Sequence, residues 1–189
     1  MSALAQSQRW ISPEEYLDGE LLSEIRREYF AGDVIAIPES SVDHNRIAGN
    51  IFATLHAHLK TCPCDTFITN MKAHIHQRGD DWYYYPDAMV NCDPAGQQKY
   101  FCETPSVIIE VLSPDTEATD RREKRLAYEM IAALRTYVHV AQDRREIIVF
   151  RRTPERWLRE VLPDDGDALR LPDLEFTLPL DAIYARTGI

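Results

Sequence analysis

The sequence predicts one α/β (α+β) domain: a mixed β-sheet with a few helices packed on it, preceded by a short helix and a hairpin. Three observations carry that prediction. Ile47, Ile51, Leu55 and Leu59 recur every four residues, the signature of an amphipathic helix of about four turns. Val107-Ile108-Ile109-Glu110-Val111-Leu112 is apolar on both faces apart from one acid, as in a central strand covered by helices. Thr136 to Ala141, Glu146 to Arg151 and Trp157 to Leu162 are short strand-like runs separated by polar turns.

The chain has 189 residues, which suits a single domain spanning 1–189 with its own core. Hydrophobic residues make up 44% and charged residues 28%, the balance of a folded rather than a disordered chain. No apolar run approaches the roughly 20 residues that cross a bilayer. The opening MSALAQSQRWISPEEY has no basic start followed by an apolar core, so no secretory signal is read. A cytoplasmic protein with no membrane partner is expected. The formal charge of −10 argues against a broad phosphate-binding surface, because that affinity comes largely from Lys and Arg. A nuclease is not excluded, since its site must be acidic to hold metal. Two local basic clusters exist, Arg121-Arg122-Lys124-Arg125 and Arg144-Arg145-Arg151-Arg152; for such runs a solvated face is the plain reading.

The elements follow in order. Ser12-Pro13-Glu14-Glu15 combines a capping serine, a proline at the first helical position and a capping-box glutamate, so a helix runs to about Asp18. Arg26 to Phe30 and Val34 to Ile37 flank Ala31-Gly32-Asp33, which reads as a hairpin ended by Pro38. The long helix begins near Ser41 or Asp43 and stops at Cys62-Pro63-Cys64. Phe67 to Gln77 reads as one strand region, with Met71, Ala73 and Ile75 alternating against polar neighbours. Arg78 to Asp81 is a turn, and Trp82 to Cys92 a strand that Pro86 confines to an edge or a bulge. Asp93 to Thr104 is loop. A further helix starts at Thr119-Asp120, with Leu126, Met130 and Leu134 on one stripe and Asp120, Lys124 and Tyr128 on another. After the three closing strands come a turn at Asp164 to Asp167, a last strand at Leu174 to Leu178 and a helical turn from Asp181 to Ala185.

Two acids in this pattern point to chemistry. Asp87 follows Pro86 at the head of an apolar run, and Glu110 sits inside the most hydrophobic strand. An unpaired buried carboxylate is costly, so Glu110 needs an open face, a cation or a metal. If the two strands are neighbours, both carboxylates converge, and a pair of hard oxygen ligands with open positions suits Mg²⁺. The backbone carbonyl of Val111 would add a ligand, and Lys124 on the following helix would bring an ammonium to the same place. Plainer readings exist. Asp87 fits a turn aspartate, Glu110 fits a buried ion pair with Lys124 or an arginine, and Glu28 fits a cross-strand partner of a base.

Cys62, Cys64, Cys92 and Cys102 are read as reduced thiols, although an even count also permits two disulfides. Structural zinc through these cysteines and His56, His58, His74 and His76 is a remoter alternative, because the spacing matches no zinc module.

An ordered set of motifs resembles the Uma2 family of the PD-(D/E)XK nuclease superfamily, the fold of many restriction endonucleases. The set is Glu28-Tyr29-Phe30-Ala31-Gly32-Asp33, His44 opening a helix, Tyr85-Pro86-Asp87, Ile109-Glu110-Val111-Leu112-Ser113-Pro114, Asp120 with Lys124 and Tyr128, and Tyr137-Val138-His139-Val140. The resemblance runs from about Ser12 to Arg152. It implies a restriction-endonuclease-like fold and metal-assisted hydrolysis of DNA. Asp87 and Glu110 match the metal-binding acids, and Glu28 matches an N-terminal acid that reaches the metal through water. His44 matches the family's histidine, expected to bind substrate or to pack at the rim of the site, and Tyr128, one turn beyond Lys124, is expected to bind a substrate phosphate or the neighbours of Lys124. The superfamily's lysine, two residues after the second acid, would fall on Leu112; Lys124 matches the relocated lysine of Uma2-like sequences. Mg²⁺ or Mn²⁺, a DNA substrate and a homodimer are the expected cofactor and partners. The alternative is a catalytically inactive protein of the same fold that binds nucleic acid or a protein.

Overall fold

The computed structural model describes residues 10–113, 123–162 and 168–189. The helix start at Thr119-Asp120, Arg121 and Arg122 of the first basic cluster, and the turn at Asp164 to Asp167 lie outside the described residues.

Helix α1, Pro13–Glu20, begins as its capping box predicts: the Ser12 hydroxyl accepts the Glu15 N–H at 3.1 Å, and Glu15 accepts the Ser12 N–H at 3.1 Å. Strands β1, Arg27–Phe30, and β2, Asp33–Ala36, form the hairpin. Its turn places Ala31 and Gly32 at φ of 46° and 109°. A Cβ at Gly32 would come within 2.1 Å of the Trp10 ring, so glycine answers both a left-handed backbone and a close approach. Helix α2, Val42–Leu59, is capped by Ser41 and buries Ile47, Ile51, Leu55 and Leu59.

The stretch read as one strand region at Phe67 to Gln77 is two strands in different sheets. Strand β3, Asp65–Ile68, ends where Thr69 takes a left-handed φ of 48°, and β4, Lys72–Gln77, starts beyond it. The next stretch also divides, into β5, Asp80–Tyr84, and β6, Ala88–Asn91. Pro86 therefore marks neither an edge nor a bulge. Lacking an N–H, it ends one ladder, and the chain crosses to the other sheet. Strands β7, Phe101–Cys102, and β8, Pro105–Leu112, follow. Then come the short α3, Arg125–Tyr128, strands β9, Thr136–Ala141, β10, Ile147–Arg152, and β11, Trp157–Leu162. Strands β12, Ala168–Leu171, and β13, Phe176–Pro179, and α4, Leu180–Ile183, complete the described chain.

The single mixed sheet expected from the sequence is thus replaced by two main sheets and a two-stranded one. One has the order β2-β1-β5-β4-β7 and the other β11-β10-β9-β8-β6-β3. Strand β8 is central, parallel to β9 and antiparallel to β6. Its alternate side chains serve two cores. Val107, Ile109 and Val111 pack with Ile47, Ile51 and Leu55 of α2, and Ile108 packs with Ala73, Tyr84, Tyr128 and Tyr137 on the opposite face. Each large aliphatic side chain buried this way contributes about 1.5–3 kcal/mol.

Two further expectations change. The stripe of Leu126, Met130 and Leu134 does not hold together: Leu134 is buried, but Leu126 and Met130 are 52% and 40% exposed, and Lys124, Ala127, Tyr128 and Ile131 face inward. The cysteines are not all reduced either, because Cys64 and Cys92 form a disulfide while Cys62 and Cys102 are free. The register explains the pairing. Asp65 lies opposite Asn91 in the antiparallel β3–β6 ladder, so Cys64 and Cys92 are the next facing positions, and their Cα atoms are 4.1 Å apart.

Candidate active site

Glu110 faces the two-sheet interior because its neighbours Ile109 and Val111 are committed to the α2 core. It is 3% exposed. Its Oε1 accepts the Tyr128 hydroxyl at 3.0 Å and lies 3.7 Å from Lys124 Nζ. The ion pair that the sequence offered as the plainer reading of Glu110 is therefore present. A second acid shares the same ammonium: Lys124 Nζ lies 2.8 Å from Glu28 Oε1, and that oxygen also accepts the Tyr85 N–H at 3.1 Å. Lys124 stands between two carboxylates that arrive from different sheets.

Asp87 enters from the crossing between β5 and β6. Ala88 pairs with Ile109, so continuing the antiparallel register brings Asp87 beside Glu110. Asp87 Oδ2 accepts the Val111 N–H at 2.7 Å and lies 3.4 Å from His44 Nε2. The N–H and C=O of one strand residue point to the same side, so the Val111 carbonyl shares that edge. Ser41 caps α2 and sets His44 in its first turn. The resulting cavity has a volume of about 550 Å³, and its lining includes Arg26, Glu28, His44, Asp87, Glu110 and Lys124.

The structure thus brings Asp87, Glu110, Lys124, Glu28, His44 and Val111 together. Of the two parts expected of Tyr128, the bond to a neighbour of Lys124 is present and the phosphate contact is not. That side chain is 0% exposed and donates to Glu110, so it orients the acid and does not meet substrate. Burial, and then the Glu110 charge, push the Tyr128 hydroxyl well above its ordinary pKa and keep it a donor. Leu112, where the superfamily's lysine would fall, is buried, and the ammonium reaches Glu110 from Lys124 instead.

The sequence names Tyr85 only as part of the Tyr85-Pro86-Asp87 motif and gives neither Tyr84 nor Tyr85 a part in the site. The Tyr84 ring lies 5.5 Å beneath Lys124 Nζ, while Tyr85 donates its N–H to Glu28 and its hydroxyl to Glu20 at 3.0 Å. Their place directly before Pro86-Asp87 was the available signal.

The donor set fits a hard divalent cation. Among the described residues, three largely buried carboxylates, Glu28, Asp87 and Glu110, meet the Lys124 ammonium and the His44 imidazole, with the Arg26 guanidinium on the same cavity wall. Carboxylates gathered in a largely buried place favour a bound cation. Asp87 and Glu110, with the Val111 carbonyl, are oxygen donors of the type Mg²⁺ and Mn²⁺ take. Glu28, Asp87 and Glu110 do not gather their oxygens within 4.8 Å of one another, because Lys124 occupies the space between two of them.

Comparison with known proteins gives a consistent result. A family model described as "Uma2: Putative restriction endonuclease" matches residues 13–181. The uncharacterized protein slr1290 of Synechocystis sp. is 30% identical over 175 residues, covering 92% of this chain and 91% of that one. A second protein of the same organism, the uncharacterized sll1609, is 26% identical over 152 residues, 78% of this chain and 85% of its own. The crystal structure of a putative nuclease belonging to DUF820 from Anabaena variabilis superposes with a TM-score of 0.73. It covers 93% of this chain and 98% of its own at 21% identity, which speaks to the fold.

Proposed function

The chain belongs to the Uma2 family of putative restriction endonucleases, and on that footing we propose that it is a Mg²⁺- or Mn²⁺-dependent endonuclease that hydrolyses DNA phosphodiester bonds. The observation that carries this reading is the position of Lys124 Nζ, 2.8 Å from Glu28 and 3.7 Å from Glu110, in the cavity that also holds Asp87. An acid pair beside a fixed ammonium is the equipment for moving a water onto a phosphate. Asp87 and Glu110 would hold the cation. When bound there, a divalent ion would neutralise phosphate charge and lower the pKa of an attacking water. Glu110, oriented by Tyr128, and Lys124, oriented by Glu28, aim that water. Lys124 also places positive charge where the pentacoordinate phosphorus collects negative charge. Arg26 on the cavity wall adds a second cation for the phosphate backbone.

Cleavage of both strands suits a two-fold dimer, and we take the functional unit to be a homodimer. The test is incubation of supercoiled plasmid with the protein in Mg²⁺ or Mn²⁺, beside Asp87→Asn and Glu110→Gln. Nicking by the parent alone supports the proposal. No cleavage of duplex, single-stranded or branched DNA, together with no calorimetric binding of either ion, would leave a catalytically inactive binding protein of the same fold.

A further inference from the structure

A second group of side chains lies outside this cavity. His74 and His76 are two residues apart on β4 and so project from one face of the sheet. Asp81 on β5 is directly opposite His76 in the antiparallel ladder. The three converge: Asp81 Oδ1 is 2.7 Å from His74 Nε2 and 2.9 Å from His76 Nδ1. Among the described residues, this is the one trio of His, Cys, Asp or Glu whose candidate ligand atoms all lie within 4.8 Å of one another.

We propose that His74, His76 and Asp81 bind a divalent transition metal of the zinc type, separate from the nuclease cavity. Two imidazoles and a carboxylate form a donor set that zinc accepts with a fourth position open. They suit Zn²⁺, Co²⁺ or Ni²⁺ rather than the hard ions that prefer all-oxygen sites. The second nitrogen of His74 supports this. Its Nδ1 lies 3.3 Å from Glu103 Oε1, so Nε2 faces the metal position while Nδ1–H donates to a carboxylate. That pairing is the usual way a metal-ligating histidine is held in tautomer and orientation. The ring is also fixed by packing, stacked on Tyr83 at 4.4 Å and edge-on to Phe101 at 5.0 Å. Bonds of about 2.0–2.1 Å to a tetrahedral ion require donors roughly 3.3 Å apart, slightly wider than the present hydrogen bonds. With His74 held by its packing, the Asp81 carboxylate and the His76 side chain, which is 62% exposed, would shift outward by that amount.

Asp81 is the second residue of β5 and Tyr84 ends it, so this site lies toward the end of the strand away from the cavity, about 13 Å along the chain from Tyr85. A metal there would clamp β4 to β5 and, through Glu103, to the residue following β7. The role is that of a staple, and it does not depend on the nuclease reading.

The test is zinc titration by calorimetry of tag-free, chelator-stripped protein in excess Mg²⁺, which occupies the oxygen-rich site. One zinc per chain is expected in the parent and in Asp87→Asn. His76→Ala should weaken binding at least about ten-fold, as loss of a ligand or its support does. Because His76 is exposed, circular dichroism should show that this variant keeps its fold. Cobalt should give visible absorption bands in the parent that are lost in His76→Ala. Absence of zinc binding, or binding and cobalt bands unchanged in His76→Ala, overturns the proposal.

Discussion

The buried hydroxyl of Tyr128 donates to Glu110 at 3.0 Å, and this bond decides how the site's central acid is held. Tyr128→Phe removes the donor and leaves a carboxylate that is 3% exposed with one partner fewer. The expected cost is about 1–3 kcal/mol of stability in urea denaturation. Mn²⁺ affinity should fall roughly ten-fold, the usual effect of losing a residue that orients a ligand. Unchanged stability and unchanged Mn²⁺ affinity would show that Tyr128 is only packing.

A substitution at Lys124 would separate the proposed catalysis from cation binding. Its ammonium lies 2.8 Å from Glu28 and 3.7 Å from Glu110, so it competes electrostatically with any cation drawn to those acids. Lys124→Met should therefore abolish plasmid nicking while tightening Mn²⁺ binding. Unit charges about 4 Å apart near a protein surface interact by about 4 kcal/mol, and a third of that corresponds to ten-fold in affinity. Without metal the same variant should be less stable than the parent, because two acids then lose the ammonium they share. Weaker Mn²⁺ binding in Lys124→Met would mean that the lysine builds the cation site and does not oppose it.

These predictions rest on residues that the sequence made visible to different degrees. Glu110 was legible because an acid inside a Val/Ile strand has few tolerable explanations, and Asp87 because proline marked the head of its strand. The division into two sheets was not legible. Period-two alternation tells which face a side chain takes, but not which sheet owns the strand. Both crossings depend on backbone events, at Thr69 and at Pro86. The inward face of the third helix was misread because Leu126 and Met130 are apolar. The core preferred Tyr128 and Ile131 there, and the cavity claimed Lys124. The pairing of Cys64 with Cys92 needed the β3–β6 register, which only the fold supplies.

That disulfide predicts a thiol count. In the native protein Cys62 is exposed and should react quickly with a thiol reagent, whereas burial pushes the Cys102 thiol up to about 11 and keeps it silent. Urea without reductant should reveal both free cysteines, and reductant should add Cys64 and Cys92. The bridge closes a loop with a sequence separation of 28, so Cys92→Ser should cost about 3 kcal/mol. All four thiols reacting in urea alone would mean that the pair is reduced in the purified protein.

Lys72 provides a prediction in pH. It is buried on β4 with its ammonium 5.0 Å from the centre of the Tyr85 ring. Burial lowers its pKa below the ordinary value, and the Glu20 charge only partly opposes that shift. The unfolded chain then holds this proton to higher pH than the folded one. Between the folded and unfolded pKa values the unfolded state binds more protons, so stability rises with pH across that window. Below the folded pKa the charge is buried at full cost. Lys72→Met removes that cost and gives up the ring contact, so it should be more stable than the parent at neutral pH. The gap should close as pH rises through the lowered folded pKa toward 10.5, the ordinary value. Urea denaturation of both proteins from neutral pH upward measures it. A gap that is independent of pH would show that the ammonium is as well solvated in the fold as outside it, despite its burial.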